Sequence, residues 1–181
     1  LALSAEAAAR LRGVLAAYAA GAWLMPYGDF LAAAQACRYD LDALAHRFQA
    51  SFEQVCHRLV TLRRPQAQGV RFGFVRSDPA GHITKRFALP RLPLPVHGNA
   101  CPLWALFAAF QTPGMLVRQI AEFPAGDRYL LLARAVDKDH PDWGRPVQRK
   151  AVMLVCELLH ADQLVYADGL DLSSTAPAVP V

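Results

Sequence analysis

Between residues 41 and 62 the apolar side chains recur at helical spacing. Leu41, Leu44, Ala45 and Phe48 share one face, and Phe52, Val55, Cys56, Leu59 and Leu62 share the next. Each run opens on a residue that can satisfy the free amides of a helix start. Asp40 precedes the first, and Ser51 precedes the second, with Gln54 three positions on to complete a capping box. Upstream, Ser4 can cap an alanine-rich helix that reaches about Trp23, and Pro26 ends it. A further helix is expected from about Asp29 to Cys37. Pro65 and Gly69 close this helical part.

From Gly69 the period changes to two. Val70, Phe72 and Phe74 alternate with Arg71, Gly73 and Val75, and Asp78-Pro79-Ala80-Gly81 has the residues of a tight turn. Residues 82–89 return, which predicts a hairpin. A short apolar helix is expected over 103–110. Residues 115–123, the turn Pro124-Ala125-Gly126-Asp127 and residues 128–136 predict a second hairpin. Residues 137–146 read as a polar loop. Residues 147–160 read as a last helix with Ala151, Val152, Val155, Leu158 and Leu159 on its buried side. Residues 165–170 read as extended and 173–181 as a flexible tail. The expectation is an α+β chain in three parts: a helical segment (1–64), an antiparallel sheet with helices in the order β-β-α-β-β-α (69–172), and the tail (173–181). Small sensor domains of the PAS and GAF type share that order, an analogy of fold alone.

Composition narrows the class. The 181 residues are 54% hydrophobic and 19% charged, with a mean hydropathy of +0.17. That is enough for a sizeable core and too apolar for disorder. No apolar run approaches the roughly 18–20 residues of a membrane span. The chain opens on Leu1 without the layout of a cleaved leader, so it reads as a fragment rather than a secreted protein. Cys37, Cys56, Cys101 and Cys156 are far apart, which fits reduced thiols in the cytoplasm better than a disulfide framework. The net charge of +4 suits nucleic acid or an anionic ligand without choosing between them.

Familiar catalytic signatures are missing. There is no HExxH, GxSxG, P-loop or GxGxxG with an acidic partner, and the histidines lack zinc-ligand spacing. The candidate chemistry lies elsewhere. Gly98-Asn99-Ala100-Cys101-Pro102-Leu103-Trp104 brings a thiol, a proline and an indole to the mouth of the short helix, where free amides and a partial positive charge could floor a small-molecule site. The plainer reading is core. Arg134 shares a strand face with Arg128, Leu130, Leu132 and Val136, and is expensive to bury there unless it meets an anion. Lys85 and Arg86 are adjacent on a strand and so point to opposite faces. Arg145, Arg149 and Lys150 crowd the start of the expected last helix, where cations oppose the dipole unless an anion is received. A solvated patch is the alternative. Two rival functions are open. The helix pair 41–62 has the rhythm of a helix-turn-helix and would offer Glu53, Gln54, His57 and Arg58 to DNA, although Glu53 would face phosphates. Cys101 with His97 or His160 would make a thiol-dependent acyl-transfer enzyme.

The sequence resembles the short-chain fatty-acyl-CoA regulators, the ScfR family. The resemblance is carried in order by Leu24-Met25-Pro26-Tyr27, Arg38-Tyr39-Asp40, Ser51-Phe52-Glu53-Gln54-Val55-Cys56-His57-Arg58-Leu59 and Lys85-Arg86-Phe87. It continues through Ala100-Cys101-Pro102-Leu103-Trp104, Ala133-Arg134-Ala135-Val136 and Leu164-Val165-Tyr166-Ala167-Asp168-Gly169-Leu170-Asp171. It implies an N-terminal helix-turn-helix for DNA, absent from this chain, then a remnant of an ImmA/IrrE metallopeptidase-like domain over 1–64. An acyl-CoA sensor over 69–172 would follow. Without HExxH, peptidase activity is not expected. Members continue into a cysteine-rich tail tied to a 4Fe-4S cluster. Here Cys101 and Cys156 match family cysteines as remnant cluster positions, and the chain stops at Val181 without that tail. The expectation is therefore a non-enzymatic, cytoplasmic, homodimeric effector-binding part of a bacterial transcription regulator, sensing a short-chain acyl-CoA or CoA. Lys85, Arg86, Arg134, Arg149 and Lys150 would receive the ligand's phosphates. Cys101, Pro102 and Trp104 would wall the pocket near the pantetheine or acyl end. No metal ligands are expected.

Overall fold

The computed structural model describes residues 4–90, 92, 101–138, 143–144 and 147–181. Four helices come first. In α1 (Ala5–Leu24) the Ser4 hydroxyl accepts the Ala7 amide at 3.2 Å. α2 (Tyr27–Ala36) follows directly after Pro26. The Asp40 carboxylate accepts the amides of Asp42 and Ala43, each at 3.0 Å, to start α3 (Leu41–Phe48). α4 (Phe52–Val60) opens on the expected capping box: Gln54 donates its amide to Ser51 Oγ at 3.3 Å, and its side chain accepts the Ser51 amide at 2.7 Å.

Six strands and a fifth helix follow: β1 (Gly73–Ser77), β2 (Ile83–Phe87), α5 (Ala105–Gln111), β3 (Val117–Glu122), β4 (Arg128–Asp137), β5 (Arg149–Glu157) and β6 (Val179–Pro180). They form one sheet in the order β2-β1-β5-β4-β3-β6. Every pairing is antiparallel except β3 with β6, which is parallel, so the sheet is mixed rather than wholly antiparallel. The fold is α+β with an N-terminal helical segment. Both expected hairpins form.

Three further expectations fail. The last helix over 147–160 is instead the central strand β5, followed by a 3-10 helix at Leu158–Gln163, so the order over 69–172 is β-β-α-β-β-β, with β6 added by the tail. Flanked by β1 and β4, β5 is buried on both faces. Its apolar residues are therefore continuous and the period-two signal vanishes. Residues 165–170 are not extended: a second 3-10 helix occupies Val165–Ala167, and Tyr166 spends its hydroxyl accepting the Leu41 amide at 2.8 Å. The tail is fastened rather than loose. Arg128 donates to the carbonyls of Ser173 and Ala176, Ala176 is buried, and the Val181 amide donates to the Glu122 carbonyl at 3.0 Å.

Alternation along the central strands divides the core in two. Phe74, Leu130, Leu132, Val152, Leu154 and Cys156 face α2, α3 and α4. Val75, Leu131, Ala133, Ala135, Ala151 and Met153 face the opposite way, where Trp104, Leu106 and Ala109 bring α5 against them. Residues of α1 contribute to neither: none is buried.

Candidate functional site

The register of the first hairpin pairs Phe74 with Phe87 and Arg76 with Lys85. All four therefore lie on the helix-covered face. α4 crosses above them, and its Glu53 and His57, one turn apart, meet the same patch. The Glu53 carboxylate accepts from Arg76 at 2.8 Å and from Lys138. Arg76 also donates its Nε to Thr84 Oγ1 at 2.9 Å. The His57 ring lies against Phe74 and Phe87, with centroids 4.5 and 5.9 Å apart. Its Nε2 sits 3.7 Å from Glu53 and is buried without a hydrogen-bond partner among the described residues. The Lys85 ammonium stands 5.4 Å from the Phe87 ring centre.

Among the described residues charge in this patch is unbalanced: one carboxylate faces a guanidinium and two ammonium groups. Burial, reinforced by the nearby Lys85, pushes His57 down to about 4, so it is neutral at pH 7. Burial alone would raise Glu53, but hydrogen bonds from Lys138 and Arg76 hold it below the usual carboxylate range. Burial and then the Arg76 charge push Lys85 down.

The residues singled out from the sequence fall on both sides of the sheet. Lys85 belongs to the patch just described. Arg86 pairs with Val75 and so takes the opposite face. Arg134 lies on the helix-covered face and does meet an anion, from within the chain. It grips Asp42 with two bonds of 2.6 and 2.7 Å and lies 4.5 Å over the Phe52 ring. Arg149 is likewise engaged by Asp137 at 2.7 Å. Lys150 pairs with Val136 and is half-buried. Arg149 and Lys150 sit on β5, not at a helix start, so the dipole reasoning does not apply to them. Cys101 is half-buried, Pro102 exposed, and Trp104 buried at the start of α5, its Nε1 without a partner among the described residues. His97, Gly98, Asn99, Ala100 and Arg145 lie outside the described residues.

Cys101 packs in the α5-side core and Cys156 in the helix-side core, with the sheet between them. The two do not fit one iron-sulfur cluster. Among the described residues no group of three or more His, Cys, Asp or Glu side chains could hold a metal ion. Of the four groups that the helix pair 41–62 would offer to DNA, three turn inward and only Gln54 is exposed. Arg58 is buried and donates to the Met25 carbonyl at 2.8 Å, Glu53 and His57 face the sheet, and Gln54 is used by the capping box. That surface is not available to a DNA groove. Sequence reasoning missed the convergence of Glu53, Arg76 and Lys138. The one local signal was Arg76, which shares the alternation of Phe72 and Phe74 and so falls on a covered face.

Comparison with known proteins gives a consistent answer. Residues 61–181 match the family model described as short-chain fatty acyl coenzyme A regulator, C-terminal. Residues 3–60 match that of the IrrE N-terminal-like domain. The chain is similar to the propionyl-CoA carboxylase regulator of Cereibacter sphaeroides, 56% identical over 161 residues, covering 89% of this chain and 35% of that protein. It is similar to the HTH-type transcriptional regulator PrpR of Mycobacterium tuberculosis, 44% identical over 179 residues, covering 99% and 37%. RamB of the same species, also an HTH-type transcriptional regulator, is 42% identical over 170 residues, covering 94% and 36%. A solved Mycobacterium tuberculosis transcriptional regulator superposes with a TM-score of 0.89 at 44% identity, covering 98% of this chain and 54% of that one. The chain thus spans about a third of the length of the curated relatives it matches.

Proposed function

The chain belongs to the short-chain fatty acyl coenzyme A regulators, and from that premise we propose that it is the effector-sensing part of a transcription regulator that binds a short-chain acyl-CoA. The observation that carries the reading is the family match over 61–181, which takes in the whole sheet and α5. The whole regulator would act as a homodimer and reach DNA through a separate helix-turn-helix, as the HTH-type names of two relatives support. No helix among the described residues is long and apolar enough to cross a membrane.

Two features of the α5 side support a place for the acyl-pantetheine arm. Trp104 presents a buried indole N–H with no acceptor among the described residues, and a pantetheine amide carbonyl would supply one. Cys101 packs in the same cluster as the small side chains Ala133, Ala135 and Ala151. Arg86, on that face, would meet phosphate. Arg134 and Arg149 would serve by holding the frame, since each is already engaged by a carboxylate. Ligand would act by favouring one of two arrangements of the domain over the other.

Calorimetry tests this directly. Acetyl- and propionyl-CoA are expected to bind with saturable heat and more tightly than free CoA. Trp104→Phe, which removes the indole donor and keeps an aromatic ring, is expected to weaken acyl-CoA about tenfold, the scale of one buried hydrogen bond. Absence of binding by all three at millimolar concentration would overturn the proposal. Mass spectrometry after incubation is expected to find Cys101 unmodified. An acylated Cys101 would convert the pocket wall into a nucleophile.

A further inference from the structure

The polar patch beneath α4 has an electrostatic debt that the acyl-CoA reading leaves untouched. Glu53, with its side chain 9% exposed, is the single carboxylate seen there. Around it stand Arg76 from β1, Lys85 from β2 and Lys138 from the end of β4, with side-chain exposure of 25% for Arg76 and 34% for Lys138. Glu53 answers Arg76 and Lys138 together. Among the described residues Lys85 makes no hydrogen bond or close ion pair and feels Glu53 only at a distance, and His57 Nε2 has no hydrogen-bond partner. Like charges gathered in half-buried positions repel one another and are costly to desolvate without a counter-charge. The natural complement is a small anion seated between Lys85 and His57, within the field of Arg76 and Lys138.

We propose that Lys85, His57, Arg76 and Lys138 form a binding site for a phosphate monoester or inorganic phosphate, on the helix-covered face of the β1–β2 hairpin. The cations come from β1, β2 and the residue just after β4 and converge from different sides, which suits a compact, multiply charged group. A nucleic-acid backbone would need cations strung along one surface. Arg76 supplies planar donors and Lys85 a point charge, a combination that suits phosphate oxygens. Phe74 and Phe87 form an apolar floor that strengthens the charges above them. Glu53 holds Arg76 and Lys138 in place while competing with the incoming anion. His57 is the reporter. The charged groups among the described residues that face it are Glu53 on its own helix, Arg76 and Lys85 on the hairpin, and Lys138 beyond β4. A bound dianion adds negative charge beside the imidazole and must raise its affinity for a proton.

The site stands without the acyl-CoA reading, but the two meet at one point, because CoA carries a 3′-phosphate monoester. The test therefore has separate arms. In the first, the His57 ring resonances are titrated with pH, with and without inorganic phosphate, against chloride at matched ionic strength. Phosphate is expected to raise the His57 midpoint by about one pH unit or more, saturably. Lys85→Ala is expected to weaken phosphate about tenfold, the scale of one charge-assisted bond. Glu53→Gln, which removes the competing carboxylate, is expected to tighten it severalfold, and Arg12→Ala on α1 to leave it unchanged. A His57 midpoint indifferent to phosphate, or an affinity unaltered by both Lys85→Ala and Glu53→Gln, would overturn the site. In the second arm, acetyl-CoA is compared with 3′-dephospho-acetyl-CoA. Loss of the His57 shift with the dephospho compound identifies the occupant as the ligand's own monoester. Acetyl-CoA binding with no His57 shift keeps the effector proposal and leaves this site to free phosphate.

Discussion

Helices α1 and α4 begin the same way, each on a serine hydroxyl that accepts an amide of its first turn, and end in opposite circumstances. α1 runs for 20 residues and buries none of them. α4 runs for 9 and buries Phe52, Glu53, Val55, Cys56, Arg58, Leu59 and Val60. The difference lies in their patterns. Beyond its first turns, with Glu6, Arg10 and Arg12, α1 is apolar all round and rich in alanine, with Leu11, Val14, Leu15 and Tyr18 left exposed. No face outranks another, so nothing in its sequence says which side should dock. α4 has a stripe that meets the sheet, and its polar groups are matched, Glu53 to Arg76 of β1 and Arg58 to the Met25 carbonyl. Capping and propensity make a helix; an uneven face ties it to a core.

The largest effects should fall on the tied helix. Leu59→Ala empties a fully buried position and is expected to cost about 3 kcal/mol in urea unfolding, while Leu15→Ala on α1 should stay within about 0.5 kcal/mol. Equal losses would mean that α1 is packed as firmly as α4. Next comes Glu53→Gln. It strips Arg76 and Lys138 of their carboxylate at a buried position and is expected to cost about 2 kcal/mol. Acid should act in the same direction. Glu53 and Asp42 have folded-state pKa values below the usual range, so their stabilisation is present at neutral pH and lost as pH falls through those depressed values. For His57 the unfolded chain takes up a proton near its ordinary value of 6.5, while the folded chain resists until about 4. Stability therefore declines as pH drops from about 6.5 toward about 4, and His57→Phe should flatten that part of the curve. The Glu6–Arg10 pair of α1 is open to water and adds nothing to the slope. A profile unchanged in His57→Phe would show that the imidazole is solvated after all.

How much of this was legible follows the same division. Asp40, Ser51 with Gln54, and the two turns are local chemistry, and each appears where the sequence placed it. β5 was not legible as a strand, because Ala151-Val152-Met153-Leu154-Val155-Cys156 is apolar at every position once both faces are covered. Only its valines hinted at extension. Arg134 shows the boundary within the candidate site. Its position on an apolar strand face demanded an anion, and that inference was sound. The anion proved to be Asp42, which lies 92 residues earlier. No local pattern distinguishes such a partner from a ligand phosphate. Glu53 with Arg76 and Lys138 is hidden for the same reason, assembled from a helix, a strand and the residue just after another strand.

Removing the caps sharpens the contrast at a smaller scale. Ser51→Ala undoes one half of the capping box on a docked helix and is expected to lower global stability by about 1 kcal/mol. Ser4→Ala removes the same kind of bond from α1, where the loss should appear as faster amide exchange in the first turn with no change in the urea midpoint. A midpoint shift in Ser4→Ala comparable to that of Ser51→Ala would erase the distinction.

The smallest global effect, and the most discriminating, comes from the glycines of α1. A Cβ at Gly13 or Gly21 would meet nothing within 4 Å. Glycine in a helix interior is about 1 kcal/mol worse than alanine, so each change to alanine should strengthen α1 by about that much. Because α1 contributes no buried residue to either core, the gain has no route into the global equilibrium. Amide exchange within α1 should slow about fivefold in Gly13→Ala, the equivalent of about 1 kcal/mol, while the unfolding midpoint stays where it was. Gly69 supplies the opposite control. A Cβ there would come within 3.2 Å of Leu62 Cδ1 and 3.3 Å of Leu31 Cδ1. Gly69→Ala makes Leu62 and Leu31 give by a few tenths of an ångström and is expected to lower the midpoint. If Gly13→Ala raised the midpoint instead, α1 would unfold together with the sheet. The exposed apolar residues along it would then belong to the cooperative unit that α4 already shares.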